Sequence, residues 1–158
     1  MNLFMWNILL AIAWTFATGE LSASNIAIGL GLGYCVLWFT QRPGAADSYF
    51  NRVIRVGRFS LFYLLQLVKS NVRVAHDVMT LKHYMRPGVI AVPLSAETDA
   101  EITLLANLIT LTPGTLALDL SDDRKTLYVH MMYIDGDADE ARREIKEGLE
   151  RRVLELLR

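Results

Sequence analysis

The chain has one cysteine, Cys35, among its 158 residues. A single thiol cannot build a disulfide framework within the chain, and it excludes a zinc site made of cysteines. Nothing therefore argues for an oxidising compartment. Low-complexity tracts and repeats at solenoid periods are also missing. The scarcest feature is charge near the start: residues 1–40 hold one formally charged side chain, Glu20. Forty such residues cannot offer water a polar face, which counts against a pair of core helices in a soluble protein.

The net charge of −1 conceals a strong segregation. Residues 41–86 carry eight basic side chains, among them Arg42, Arg52, Arg55, Arg58 and Lys82, against Asp47 and Asp77, a net of +6. Residues 87–158 carry eight basic and fourteen acidic side chains, a net of −6. Apolar, basic and acidic zones in that order are the pattern of a chain organised around an interface.

Two uncharged segments, Leu3 to Thr18 and Leu21 to Thr40, would each reach about 24–30 Å as helices, the low end for crossing a hydrocarbon core of about 30 Å. They predict a two-helix transmembrane hairpin over residues 1–41, turning at Gly19-Glu20. A cleaved signal peptide fits poorly, because no basic stretch precedes the first apolar run and a second run follows at once. Trp6, Trp14 and Trp38 suit depths near the membrane surface. Gly29 and Gly33 stand four apart on one helical face, where small residues let another helix approach closely. Glu20 is either a solvated turn residue, the preferred reading, or a proton site.

Residues 52–83 predict a long amphipathic helix. Polar residues recur at 55, 58, 66, 69, 73, 76/77 and 80, and Val56, Phe59, Leu64, Leu67, Val74, Val78 and Leu81 take the other face. The preferred reading lays it along a membrane surface; the alternative is a tilted third span whose polar stripe meets protein partners. Arg42, Arg52, Arg55 and Arg58 flank the exit of the second apolar segment, so the positive-inside rule places this region in the cytoplasm. A chain with two spans then has its C-terminal region there too.

Residues 88–158 read as a small α+β domain of order β-α-β-β-α. Gly88 to Leu94 is a strand candidate. Ser95 is expected to cap a helix over Ala100–Leu111 that buries Ile102, Leu105, Ala106 and Ile109. Thr112-Pro113-Gly114 stops that helix, since proline cannot continue the ladder and glycine can take a positive φ. Leu116, Leu118 and Leu120 alternate with Ala117, Asp119 and Ser121, and Leu127, Val129 and Met131 alternate with Tyr128, His130 and Met132. The charged run Asp122 to Lys125 joins these two strands as a hairpin. A final helix to Leu157 is expected to bury Ala141, Ile145, Leu149, Val153 and Leu156.

Catalytic and ligand chemistry finds little support. His130 would need a positioned partner, for which Asp119 across the hairpin is the candidate; a half-exposed cross-strand residue is the simpler reading. His76 and His83 could share a helix face but lack a third ligand. Asp135, Asp137, Asp139 and Glu140 resemble a calcium loop in composition only, and an acidic lead into a helix N-terminus explains them better. Asn107, Thr110 and Thr112 are placed to bond backbone at the helix stop. No cofactor is implied. The basic stretch beside apolar segments favours anionic lipid headgroups over nucleic acid as its partner.

The stretch Asn107-Leu-Ile-Thr-Leu-Thr-Pro-Gly-Thr115, the acidic hairpin after it, Leu127-Tyr-Val-His130 and Asp135 resemble the E subunit of the Mrp-type (Mnh/Pha) multisubunit cation/proton antiporters. Asn7 to Trp14 and the glycine-rich second apolar segment are similar to that subunit as well, so the likeness covers essentially the whole chain. The resemblance implies an accessory subunit of a bacterial cytoplasmic-membrane complex that exchanges Na⁺, in some complexes K⁺, for H⁺. It implies that ion translocation belongs to large subunits akin to those of respiratory complex I, and that the E subunit supports assembly and stability. Its partners would be the other antiporter subunits and the bilayer, with Thr112-Pro113-Gly114 a signature turn and His130 a candidate subunit contact. A secondary transporter acting alone needs a site near the midplane, which so few spans cannot build. Two further readings stay open: a membrane-anchored regulatory module whose domain binds a partner or ligand, and a membrane-bound enzyme using His130 and Asp119.

Overall fold

The computed structural model of the protein describes residues 2–40, 47–80, 85–134 and 137–158. Arg42, Leu81, Lys82, His83 and Asp135, singled out in the sequence, lie outside the described residues. The chain is mostly helical with one three-stranded antiparallel sheet. It divides into two units, Met1–Ile54 and Arg55–Arg158, and the division falls inside a long helix.

The first unit holds α1 (Leu3–Thr18), α2 (Ala23–Thr40) and the start of α3 (Asp47–Met79). α1 ends on Gly19, whose φ of 71° is left-handed and whose N–H donates to the Thr15 carbonyl, the usual helix stop for a residue without Cβ. The chain then turns back, and α1 and α2 pack together along residues four apart: Asn7, Ala11 and Thr15 on one helix, Asn25, Gly29, Gly33 and Leu37 on the other. Their large apolar side chains point outward, with Phe16 and Phe39 80% and 86% exposed. α2 is long and apolar enough to cross a membrane by length and composition; α1 is apolar but shorter. The first turns of α3 bury Phe50 against the edges of Tyr34, Trp38 and Tyr49, at ring distances of 5.0, 5.1 and 5.3 Å. Such edge-to-face contacts add to the area buried.

In the second unit, β1 (Gly88–Pro93), β2 (Thr115–Leu120) and β3 (Thr126–Met131) form a sheet of order β1-β3-β2. One face carries Ile90, Val92, Leu127, Val129 and Met131, all buried against α4 (Asp99–Leu111) and the last helix. α3 begins at Asp47 rather than near residue 52. Its split between faces also differs from the expected one: Phe59, Phe62 and Tyr63 pack on the domain core, and the Tyr63 hydroxyl donates to the Leu108 carbonyl. Gln66, Ser70 and the buried Asp77 extend that side, which leaves Leu61, Leu64, Leu65, Val68 and Val72 exposed as a continuous apolar ridge. Aromatic rings supply the area that the domain core needs, so the aliphatic residues are left for the other face.

Two expectations about the domain change. Leu116 and Leu118 do not join the core; they are exposed, and Ala117 packs inward opposite Val129. A bulge between Ala117 and Asp119 shifts the register so that Leu120 turns back toward the core opposite Leu127, because an extra residue in a strand reverses which side chains face inward. The cap of α4 is Thr98, not Ser95. Its side chain accepts from the Glu101 N–H, and Glu101 returns the bond to the cap backbone, a reciprocal box that satisfies two free helix donors. Ser95 instead donates its N–H to the Glu150 carboxylate, which also accepts from Ala96 at 2.9 Å.

The last helix runs as α5 (Ala138–Arg143), a π-helical segment Glu144–Glu150 and α6 (Arg151–Leu157). Ala141, Ile145, Leu149 and Val153 are buried and Leu156 half-buried. A four-residue spacing drifts by about 40° per step in an α-helix of about 3.6 residues per turn. The wider π turn takes that drift back and keeps all four residues on the sheet. Arg142 and Lys146 on this helix donate to the Ala91 and Pro93 carbonyls of β1 at 2.9 and 2.7 Å. They cover the outer acceptors of an edge strand, which would otherwise invite pairing with another chain.

Glu101 is the best-connected carboxylate of the unit. Arg158 donates to it at 2.9 Å and the Glu97 and Thr98 amides at 2.9 and 3.1 Å. The Arg158 bond first, and these amides second, hold its pKa at about 2 against an ordinary 4.5. A carboxylate depressed in the fold stabilises it fully above the ordinary value, and that contribution fades as pH falls toward the folded value. Glu101→Gln is expected to lower the thermal midpoint at pH 7, with the gap to the native protein narrowing between pH 4.5 and 2. A gap that stays constant across that range would show that the charge of Glu101 contributes nothing.

Candidate functional site

Two places gather the residues singled out by the sequence: the α1–α2 seam and the corner that follows α4. In the seam, the Asn25 Oδ1 accepts from the Trp14 indole at 2.9 Å, and its Nδ2 donates to the Thr18 hydroxyl at 2.6 Å and the Glu20 carbonyl at 2.7 Å. The buried amide thus ties both helix ends to the turn. Glu20 contributes only its backbone to this knot, and its side chain is exposed. At the other end the Asn7 Nδ2 donates to the Tyr49 hydroxyl at 2.7 Å, while its Oδ1 is buried and without a hydrogen bond. That oxygen faces Gly33.

The two glycines of the seam have no room for a side chain. A Cβ on Gly29 would lie 3.0 Å from the Ala11 Cα and 3.1 Å from its carbonyl oxygen; one on Gly33 would lie 2.2 Å from the Asn7 Oδ1. Gly31, between them, faces open space.

At the corner, the Thr112 hydroxyl donates to the Leu108 carbonyl at 2.8 Å and the Thr115 hydroxyl to the Ile109 carbonyl at 2.6 Å, so two threonines add bonds to carbonyls at the end of α4, that of Ile109 also accepting from the Thr112 N–H at 3.1 Å. Pro113 follows, and Gly114 takes a φ of 88°. Its carbonyl accepts from the Met132 N–H at 2.8 Å, which fixes the corner to the end of β3. Thr110 accepts from the Ala117 N–H at 3.3 Å, and Asn107 is exposed.

The corner forms one wall of a cavity of about 170 Å³ whose other walls include Gln66 and Arg73 of α3, Tyr133 and Ile145. The Arg73 guanidinium lies over the Tyr133 ring, 4.2 Å from its centre. Burial raises the Tyr133 pKa, and the neighbouring Asp77 adds to it. The Tyr133 hydroxyl and the Asp77 Oδ2 are both buried without a hydrogen bond. Among the described residues no histidine or cysteine lines this space. His130 lies on the opposite face of the sheet, flanked in register by Val89 and Leu116.

Asp119 does not meet His130, because the bulge sets it opposite Tyr128. The catalytic pair considered from the sequence is therefore not assembled. Asp137 caps α5 by accepting from the Asp139 N–H at 3.0 Å, and the described residues contain no group of three metal-ligating side chains. Sequence reasoning missed Asp77, Tyr133 and Glu150. A lone Asp on a polar stripe, a Tyr after a strand and a Glu in a charged helix give no periodic signal. Glu101 did have one, the Thr98-x-x-Glu101 spacing.

The seam makes a graded expectation. Gly29→Ala must push the two helix backbones apart, and Gly33→Ala must displace the Asn7 amide from Tyr49; overpacking of this kind costs about 1–3 kcal/mol. Both should lower the thermal midpoint of the purified protein in detergent, while Gly31→Ala leaves it unchanged or raises it slightly. Equal effects at all three positions would dismiss close approach as the reason for glycine.

Comparison with known proteins assigns this architecture. The Na⁺/H⁺ ion antiporter subunit family matches residues 7–156. The E subunit of the Na⁺/H⁺ antiporter of Bacillus subtilis strain 168 is 38% identical over 152 residues, covering 96% of each chain. The E1 subunit of the Na⁺/H⁺ antiporter of Staphylococcus haemolyticus is 36% identical, covering 95% of this chain and 94% of its own. A chain of the Mrp complex from Dietzia sp. DQ12-45-1b matches with a TM-score of 0.52 and 29% identity, over 66% of this chain and 97% of that one. A chain of the membrane-bound sulfane sulfur reductase, an archaeal respiratory membrane complex, matches with a TM-score of 0.59 and 25% identity over 96% of both. The extent of these matches, carried through both units, shows that the chain belongs to the family of Na⁺/H⁺ antiporter E subunits, a membrane-bound component of a multisubunit transporter.

Proposed function

We propose that this chain is an accessory subunit that supports assembly and stability of the antiporter and does not itself translocate ions. The observation that carries the reading is the inverted character of the first unit. α1 and α2 hide their small and polar residues and expose their large apolar ones, the arrangement favoured where the solvent is lipid. Neither helix contains a carboxylate, lysine, arginine or histidine, the side chains that proton relays within membranes are built from. The seam's polar groups serve packing: Asn25 spends its whole amide on neighbouring helix ends. Gly29 and Gly33 are its packing residues, and Glu20 is a solvated turn.

On this reading residues 1–41 are a membrane hairpin in the bacterial cytoplasmic membrane. Residues 52–83 lie along its surface, with Leu61, Leu64, Leu65, Val68 and Val72 toward the acyl boundary and anionic headgroups near the basic side chains. Residues 88–158 form the cytoplasmic domain. A neighbouring antiporter subunit covers the open face of the sheet, where Val89, Leu116, Leu118 and Tyr128 are 58%, 43%, 51% and 40% exposed around His130. Residues of this kind, aromatic and aliphatic around a polar centre, are those that carry binding energy in the core of an interface.

Native gels of the assembled complex test this reading. Removing residues 88–158 is expected to abolish the full-size band. Leu116→Asp with Tyr128→Asp should weaken it, because two charges would be desolvated in the interface, while leaving the fold of the domain intact. An unchanged band in both cases would contradict the scaffold role.

A further inference from the structure

A second cavity, of about 400 Å³, opens between the second unit's first turns of α3 and the end of the last helix. Four arginines line it: Arg55, Arg58, Arg152 and Arg158. Phe59 and Leu156 give it an apolar side, and Glu155 is the one acidic side chain in its wall among the described residues. Like charges are not gathered around a partly enclosed space without cost, since each guanidinium disfavours the others at short range. Some of that repulsion is offset locally. Arg158 donates to Glu101, Arg152 lies over the Phe62 ring at 3.7 Å and donates to the Gly148 carbonyl at 3.1 Å, and Glu155 lies 3.7 Å from Arg151 outside the cavity wall.

Two arginines are not accounted for in this way. Arg55 donates one Nη1 hydrogen to the Glu155 backbone carbonyl at 3.1 Å, and its Nε is buried with no acceptor. Arg58, one turn along the same helix, forms no ion pair among the described residues. An excess of guanidinium charge around the cavity, with Arg58 lacking an ion pair among the described residues, calls for an oxyanion with several acceptor oxygens. The planar fork of arginine matches phosphate geometry better than a point cation does.

We propose that this cavity is a binding site for a phosphate group, held by Arg55 and Arg58 from α3 and by Arg152 from the last helix. The ligand carries a terminal phosphate group, either as the headgroup of an anionic lipid or as a free phosphate species. Its binding ties the two helices together at a point where no direct ion pair joins them among the described residues. The site is separate from the corner cavity and from the open face of the sheet, and it does not depend on which subunits lie nearby.

The full-length subunit in nanodiscs tests it with two probes: inorganic phosphate added to phosphatidylcholine discs, and discs of phosphatidylcholine with phosphatidic acid. Thermal stabilisation and titration calorimetry are the readouts. Saturable binding of at least one probe is expected, weakened about tenfold by Arg58→Gln, the loss of one charge-assisted contact. Arg55→Lys keeps the charge but removes the fork and should also weaken binding. Arg52→Gln, on the same helix outside the cavity, should change it less than about twofold. A response to phosphate alone identifies a free phosphate species, and a response to phosphatidic acid alone identifies a lipid headgroup. Binding of neither probe, or an equal loss with Arg52→Gln, overturns the proposal.

Discussion

The structure rests on the closeness of α1 and α2. At Gly29 the two backbones lie so near that a single added carbon would meet the Ala11 Cα at 3.0 Å. At that point there is no space for leucine or phenylalanine between the helices, so most large side chains point away; Leu37, near the end of α2, is the buried exception. The apolar exterior is thus a consequence of the small-residue seam as well as of composition. In water such an exterior would be a liability; in lipid it is the solvated surface, and van der Waals packing with a few hydrogen bonds holds the pair.

The second unit solves the opposite problem with opposite means. It buries an ordinary aliphatic core and then uses ionised side chains where backbone groups would be left open. Glu101 and Glu150 accept from amides at the start of α4 and the loop before it, and Arg142 and Lys146 close the outer carbonyls of β1. The net −6 of residues 87–158 is therefore not only a solvated coat. Several of its members are structural acceptors, which is why the pH response of the domain should originate at Glu101.

Much of this was legible in the sequence, for reasons that differ by element. The apolar helices, the α4 helix, the Pro113-Gly114 stop and the inward set Leu127, Val129 and Met131 follow from composition and period. Gly29 and Gly33 were legible as a spacing, while the open space at Gly31 required geometry. The outward Leu116 and Leu118 were not legible, because a bulge reverses strand polarity without leaving a periodic mark. The cavity arginines were hidden for another reason: Arg55 and Arg152 are 97 positions apart by their numbers, and only the fold brings them to one wall. The π segment was equally silent, though the strict four-residue spacing from Ala141 to Val153 contains a hint of it.

The membrane placement of the first unit is tested most directly by spin labels on the outer face of α2. With Cys35, an exposed thiol, replaced by serine, single cysteines at Ile28, Leu32 and Val36 would carry the label in bilayers holding only this chain. Side chains in the hydrocarbon collide with dissolved oxygen and not with a water-soluble nickel chelate. All three positions should therefore favour oxygen, and Leu32, nearest the middle of the helix, most strongly. Nickel-favoured collisions along that face would place α2 in water and contradict the membrane hairpin.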